Sequence, residues 1–98
     1  MADAELLQAS TDGDEAAVAR LLGAGANSCA QDVDGWPAVA RAASGGHAAS
    51  VNILIEAGAD LAAANPAGGT ALALAAANGH GGVVELLCRA PGVDVSAV

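Results

Sequence analysis

The chain repeats its own pattern every 33 residues, and this period constrains the fold more than any other feature. The dipeptide Gly-His ends at His47 and again at His80, one period later. Three apolar columns keep the same register, and they comprise Val18, Val51 and Val84; Leu21, Leu54 and Leu87; and Ala9, Ala42 and Ala75. Because units that repeat in this way bury their apolar sides against one another, the period predicts a stack of similar units.

Each unit is predicted to contain two short helices. An alanine-rich stretch leads to Gly-Asp or Gly-His, and a second apolar stretch follows, which in the first two units ends at a Gly-Ala pair. Asp14 is expected to cap the second helix of the first unit, and Gly25 and Gly58 are expected to end the second helices of the first and second units, because glycine enters the left-handed conformation without strain. The expected helices span 3–10, 14–22, 37–44, 48–57, 70–77 and 81–89.

The composition agrees with close-packed helices and excludes several classes of partner. Hydrophobic residues make up 54% of the chain and aromatic residues 1%, so the core must be built largely from alanine and other small side chains. The 98 residues suffice for one small domain. The net charge of -8 opposes binding to nucleic acid or to an anionic membrane. Since the start of the chain lacks a signal-peptide pattern, we expect a cytoplasmic protein, with the nucleus as the alternative.

The segments 32–64 and 65–97 resemble ankyrin repeats. The sequence DVDGWPAVARAASGGHAASVNILIEAGADLAA from Asp32 is similar to the family pattern D-x-x-G-x-T-P-L-H-x-A-A-x-x-G-H-x-x-x-V-x-x-L-L-x-x-G-A-D, and NPAGGTALALAAANGHGGVVELLCRAPGVDVSA follows it as well. A truncated first unit, 2–31, starts directly at its first helix, as N-terminal capping repeats of that family do. The resemblance implies one all-α domain over 1–98, a solenoid of antiparallel helix pairs joined by β-turn fingers.

Two groups of histidine positions bear on how the units hold together. The stretch that the family writes T-P-L-H reads PAVA at 37–40 and TALA at 70–73, so its histidine is missing from both. The resemblance implies that this histidine ties one repeat to the next, and we therefore expect cohesion to rest more on apolar packing. The histidines of the Gly-His pairs, His47 and His80, are interpreted as capping residues. One repeat apart, they are too distant from each other to share a metal ion.

The other side chains that could take part in a chemical reaction are interpreted as structural. Cys29 and Cys88 show no CxxC spacing and are expected to be free thiols. Asp32 and Asp34 are close enough for a carboxylate pair, but the matching segment one period later carries no acid, so a turn-forming role is favoured over acid–base catalysis. No serine stands with a histidine and a carboxylate as nucleophilic catalysis requires. We expect no catalytic activity, cofactor or metal.

A helix-pair stack has a concave surface formed by its turn fingers and inner helices, and repeat proteins bind partners there. Trp36 is the only Phe, Tyr or Trp residue and follows the finger glycine. Two interpretations are open: its ring packs on Val33 or Pro66, or it is an exposed anchor for a partner. From the repeat phase, the candidate binding residues are Thr11, Asp12, Val33, Asp34, Trp36, Ser44, Gly45, Pro66, Ala67, Gly69, Ala77 and Asn78.

The sequence thus predicts a non-catalytic module that binds another protein through its fingers and concave helix face. The alternative is an ankyrin segment of a larger scaffold, receptor or enzyme, whose function lies outside this chain. The last unit keeps an apolar pattern where a solenoid normally turns polar. We therefore expect self-association through this face, or docking of further sequence against it. The face comprises Leu72, Leu74, Val83, Val84 and Leu87.

Overall fold

The computed structural model describes residues 2–89, which form six helices. The helices are α1 (Ala2–Asp12), α2 (Glu15–Gly23), α3 (Ala38–Ser44), α4 (Ala48–Glu56), α5 (Ala71–Ala77) and α6 (Gly81–Arg89). Every helix expected from the sequence is present, and the largest difference is that α1 runs two residues further than expected. The all-α class is confirmed. The end of the third unit, 90–97, lies outside the described residues.

The expected capping and stop residues act as predicted. The Oδ1 atom of Asp14 accepts a hydrogen bond from the backbone amide of Ala17 at 3.2 Å, which satisfies a free amide at the start of α2. Gly25 and Gly58 follow the ends of α2 and α4 with positive φ angles of 99° and 86°. Their left-handed conformation redirects the chain out of each helix.

Two short hairpins precede the helix pairs of the second and third units. The first hairpin spans 31–37 and the second spans 64–70, and one antiparallel bridge between the end residues closes each of them. Each turn contains a glycine with positive φ, 81° at Gly35 and 86° at Gly68. Glycine adopts this conformation without strain because it lacks a Cβ atom. These hairpins correspond to the β-turn fingers that the resemblance implies.

The six helices stack in two layers. The helices α1, α3 and α5 contact one another in turn and form one layer, and α2, α4 and α6 form the other. Each helix also packs against the other helix of its own unit. Apolar side chains from both layers meet in a shared core, in which Leu6, Leu54 and Leu87 are fully buried. Within residues 2–89, no helix has both the length and the apolar character needed to cross a bilayer.

His47 and His80 join neighbouring units. The Nε2 atom of His47 lies 3.1 Å from the carbonyl oxygen of Thr11, and the Nε2 atom of His80 lies 3.0 Å from that of Ser44. The Nδ2 atom of Asn78 donates to the same Ser44 carbonyl at 3.1 Å. His47 occupies the N-cap position of α4, as interpreted, but its side chain makes no capping bond, because its ring extends to the preceding unit. Hydrogen bonds therefore join neighbouring units in addition to apolar packing.

The apolar residues of the last unit are more covered than expected. Leu72, Val83 and Leu87 are buried, with exposed fractions of 3%, 2% and 0%. Leu74 and Val84 are half-buried. The reason is that α5 and α6 pack against each other as well as against α3 and α4, which buries the larger part of this set. The expectation of an uncovered apolar surface is therefore wrong for three of these five residues.

Candidate functional site

The carboxylate of Asp32 holds the first hairpin in its shape. Its Oδ1 atom accepts hydrogen bonds from the backbone amides of Asp34 and Trp36, both at 2.9 Å, and its Oδ2 atom accepts one from Nε of Arg41 at 2.6 Å. Burial raises the pKa of Asp32, but these hydrogen bonds outweigh burial and hold the pKa below its ordinary value. The turn-forming role predicted for Asp32 is confirmed.

Trp36 lies against Arg41 of α3. The guanidinium carbon is 4.2 Å from the centroid of the indole ring, which is a cation–π distance. The Nη2 atom of Arg41 also donates to Oδ2 of Asp34 at 3.4 Å, so the guanidinium connects α3 to both acids of the hairpin. Val33 is fully exposed, so packing of Trp36 on Val33 is wrong. Trp36 is half-buried, and Arg41 fixes its position.

The second hairpin has the same construction without an acid or an aromatic ring. Asn65 stands in the register position of Asp32, and its Oδ1 atom accepts a hydrogen bond from the amide of Gly69 at 2.7 Å. A Cβ atom on Gly69 would lie 3.0 Å from Cδ2 of Leu74, which stands in the register position of Arg41. Since position 69 holds glycine, the first hairpin alone of the two presents a tryptophan.

The twelve candidate binding residues are all at least partly exposed. Six of them lie at or beside the C-terminal ends of α1, α3 and α5, and the other six lie in the two hairpins. We call the surface formed by both hairpins and the exposed sides of α1, α3 and α5 the hairpin face. Ser44 and Asn78 are bonded to each other through Oγ and Nδ2 at 3.0 Å, so their polar groups already join two units. The binding role of the twelve residues stays a prediction.

A groove of about 650 Å³ opens on the hairpin face beside α1. The side chains of Asp3, Leu7 and Thr11 line it from α1, and Val33 lines it from the first hairpin. Arg41, whose guanidinium lies over the ring of Trp36, lines the groove from α3. The groove therefore extends from α1 across the first hairpin to Arg41, the residue that contacts Trp36.

Most residues that line the groove are not among the twelve candidates, although the repeat phase contains a signal for one of them. Thr11 and Val33 were candidates, but the other lining residues were not, and these are Asp3, Ala4, Leu7, Gln8, Gln31, Asp32 and Arg41. Positions 3 and 11 stand one period before positions 36 and 44, which were both assigned to the binding face. The same repeat phase, extended to the start of α1, would have placed Asp3 on that face.

The chemistry that this surface offers is recognition by charge and by apolar contact. Cys29 and Cys88 are unpaired and exposed, as expected. Within the part of the chain that the structure describes, no group of three or more His, Cys, Asp and Glu side chains is arranged to hold a metal ion. The hairpin face presents carboxylates, a supported tryptophan and an exposed valine.

Comparison with known protein families agrees with this architecture. A family model described as ankyrin repeats in three copies matches residues 6–98. A search of curated proteins finds no match to the chain. The family match spans parts of all three units, and the helix pairs and hairpins have the arrangement that it implies. The chain therefore belongs to the ankyrin-repeat family.

Proposed function

We propose that this chain is a non-catalytic module that binds another protein through the hairpin face. Ankyrin repeats are generally protein–protein interaction modules. The observation that carries the proposal is Trp36, which is held against Arg41 with part of its ring exposed. Tryptophan is enriched among the few residues that supply most of the binding energy in protein interfaces.

The contacts around Trp36 favour binding because they fix the ring before a partner arrives. Arg41 is bonded to Asp32 and to Asp34, and its guanidinium lies over the indole ring. A side chain that is already ordered loses less conformational freedom on binding, so more of its contact energy contributes to affinity. Val33, fully exposed in the same hairpin, adds apolar area that a partner would cover.

Two finer points of the proposed function stay predictions. Val84 and Leu86 are half-buried on α6, and a second copy of the chain that packed there would cover them. Self-association through the last unit is therefore a secondary expectation. The cytoplasm stays the predicted compartment, with the nucleus as the alternative.

Affinity capture from a lysate of the native cells tests the proposal, with the wild-type chain and Trp36→Ala as paired baits. We expect Trp36→Ala to recover the partner at least about tenfold less well, because truncation of such a tryptophan costs about 2 kcal/mol or more in binding. Its free energy of unfolding is expected to fall by no more than about 1 kcal/mol, the size of a cation–π contact. Thermal melting of both baits measures this second quantity.

A third bait serves as the matched control. Asn52 is exposed on α4, outside the hairpin face, and Asn52→Ala is expected to recover the same partner in the same amount as the wild type. Equal recovery by all three baits would reject Trp36 as an anchor. Loss of the partner with Asn52→Ala alone would move the binding surface to α2, α4 and α6.

A further inference from the structure

The groove beside α1 lies where a hairpin of the first unit would stand. Each later helix pair follows a hairpin, but α1 begins at Ala2, and residues 2–89 place no hairpin before it. Asp3 stands one period before Trp36, so it takes the register position of the aromatic ring in the second unit. Within residues 2–89, no hairpin of the first unit covers the groove of about 650 Å³.

Val33 is an uncovered apolar side chain that lines the groove. Its equivalent one period later is Pro66, and Pro66 packs against the preceding hairpin, since a Cβ atom on Gly35 would lie 2.9 Å from Cγ of Pro66. Within residues 2–89, Val33 has no preceding hairpin to pack against, and its exposed fraction is 102%. Leu7, half-buried on α1, lines the same groove. The groove thus holds apolar surface that the repeat pattern covers elsewhere.

The groove is also acidic. Asp3 and Asp32 line it, Asp34 lies at its edge in contact with Arg41, and Asp12 stands at the end of α1. Two of these carboxylates, those of Asp32 and Asp34, pair with the guanidinium of Arg41, and the chain as a whole has a net charge of -8. A second copy of the chain, or an anionic membrane, would be repelled from this surface. A cationic ligand would be attracted to it.

From this arrangement we propose that the groove binds an extended cationic segment of the partner protein. An apolar side chain of that segment covers Val33 and Leu7, and arginine or lysine side chains pair with Asp3 and Asp34. The inference rests on the proposed function and specifies the chemistry of the partner. Complementary charge speeds the encounter and discriminates against acidic sequences.

Fluorescence anisotropy with three labelled peptides tests the inference. The peptides alternate leucine with arginine, with glutamine or with glutamate, and they are otherwise identical. We expect the arginine peptide to bind at least about tenfold more tightly than the glutamine peptide, and the glutamate peptide not to bind. Raising NaCl from about 0.05 M to about 0.2 M is expected to weaken the arginine peptide several-fold, because salt screens charges at the surface. Equal affinities of the arginine and glutamine peptides would overturn the inference.

Two double variants separate the charge of the groove from the charge of the whole chain. Asp3→Asn with Asp34→Asn removes two carboxylates but keeps the Oδ1 atom that accepts the Asn27 amide at 2.9 Å. Glu15→Gln with Glu56→Gln removes two carboxylates from exposed positions on α2 and α4. The first pair is expected to weaken the arginine peptide at least about fivefold, and the second pair less than about twofold. Equal weakening by both pairs would show that net charge alone attracts the peptide.

A single variant tests the apolar contact without changing any charge. Val33→Ser is expected to weaken the arginine peptide at least about threefold, because Val33 is the most exposed apolar side chain of the groove. Sedimentation velocity of the wild type and of Val33→Ser tests whether a second copy of the chain occupies the groove instead. A wild-type dimer that Val33→Ser dissociates would assign the groove to a second copy and overturn the inference. This inference can fail while the proposed function stands. If Trp36→Ala loses the partner in the lysate capture but peptide binding does not depend on charge, the cationic segment alone is rejected.

Discussion

Leu54→Ala is expected to lower the free energy of unfolding by about 3 to 5 kcal/mol, because it removes a fully buried side chain and leaves a cavity. Leu54 lies in α4, which packs against α2, α3 and α6 and so contacts helices of all three units. A domain of this size is typically stable by about 5 to 15 kcal/mol, so the variant loses a large share of its stability. Urea denaturation followed by circular dichroism measures the change.

Leu61→Ala is the matched control for this substitution. Leu61 is half-buried after the end of α4 and packs at the edge of the core. Because part of its surface already contacts water, truncation is expected to cost about 1 kcal/mol. A loss for Leu54→Ala no larger than that for Leu61→Ala would show that the core does not lie between the two helix layers.

Gly46→Ala is expected to destabilise the protein by at least about 2 kcal/mol, and Gly79→Ala by about 1 kcal/mol. The two glycines are one period apart and have nearly equal positive φ angles, 74° and 76°, so alanine incurs the same backbone strain at both. At Gly46 alone the added Cβ would lie 2.6 Å from Nδ1 of His80, whereas at Gly79 it would meet nothing within 4 Å. The His80 ring must therefore shift and weaken its bond to Ser44.

The same two substitutions in a His80→Ala background form the control. Without the imidazole ring, nothing distinguishes the two sites, and we expect both substitutions to cost about 1 kcal/mol. Chemical denaturation of the six proteins measures the differences. If Gly46→Ala still costs more than Gly79→Ala when His80 is absent, the contact between His80 and Gly46 does not join the second and third units.

The helices and their phase followed from the sequence because each depends on a local pattern. The period of 33 residues sets the phase, and capping and stop residues such as Asp14 and Gly58 mark the helix ends through interactions within a few residues. These signals do not require knowledge of any distant contact. The six helices therefore agree with the expectation to within two residues at each end.

The features that the sequence did not reveal all depend on contacts between residues that are distant in sequence or on how a hairpin sits against a helix. The local sequence predicts the position of His47 at the start of α4 but not the bond of its ring to the preceding unit. The support of Trp36 by Arg41 depends on how the hairpin sits on α3. The groove beside α1 forms where α1 meets the first hairpin and α3, which are distant from α1 in sequence.

Hydrogen exchange in the complex with the captured partner is the most direct test of the claim that the hairpin face is the binding surface. Backbone amides are compared between the free and the bound chain. We predict that exchange slows at least about tenfold in the hairpins at 31–37 and 64–70, because a partner seated there would shield their exposed amides from solvent. No change is expected in α2, α4 and α6. Slowing confined to α2, α4 and α6, with both hairpins unchanged, would contradict the claim.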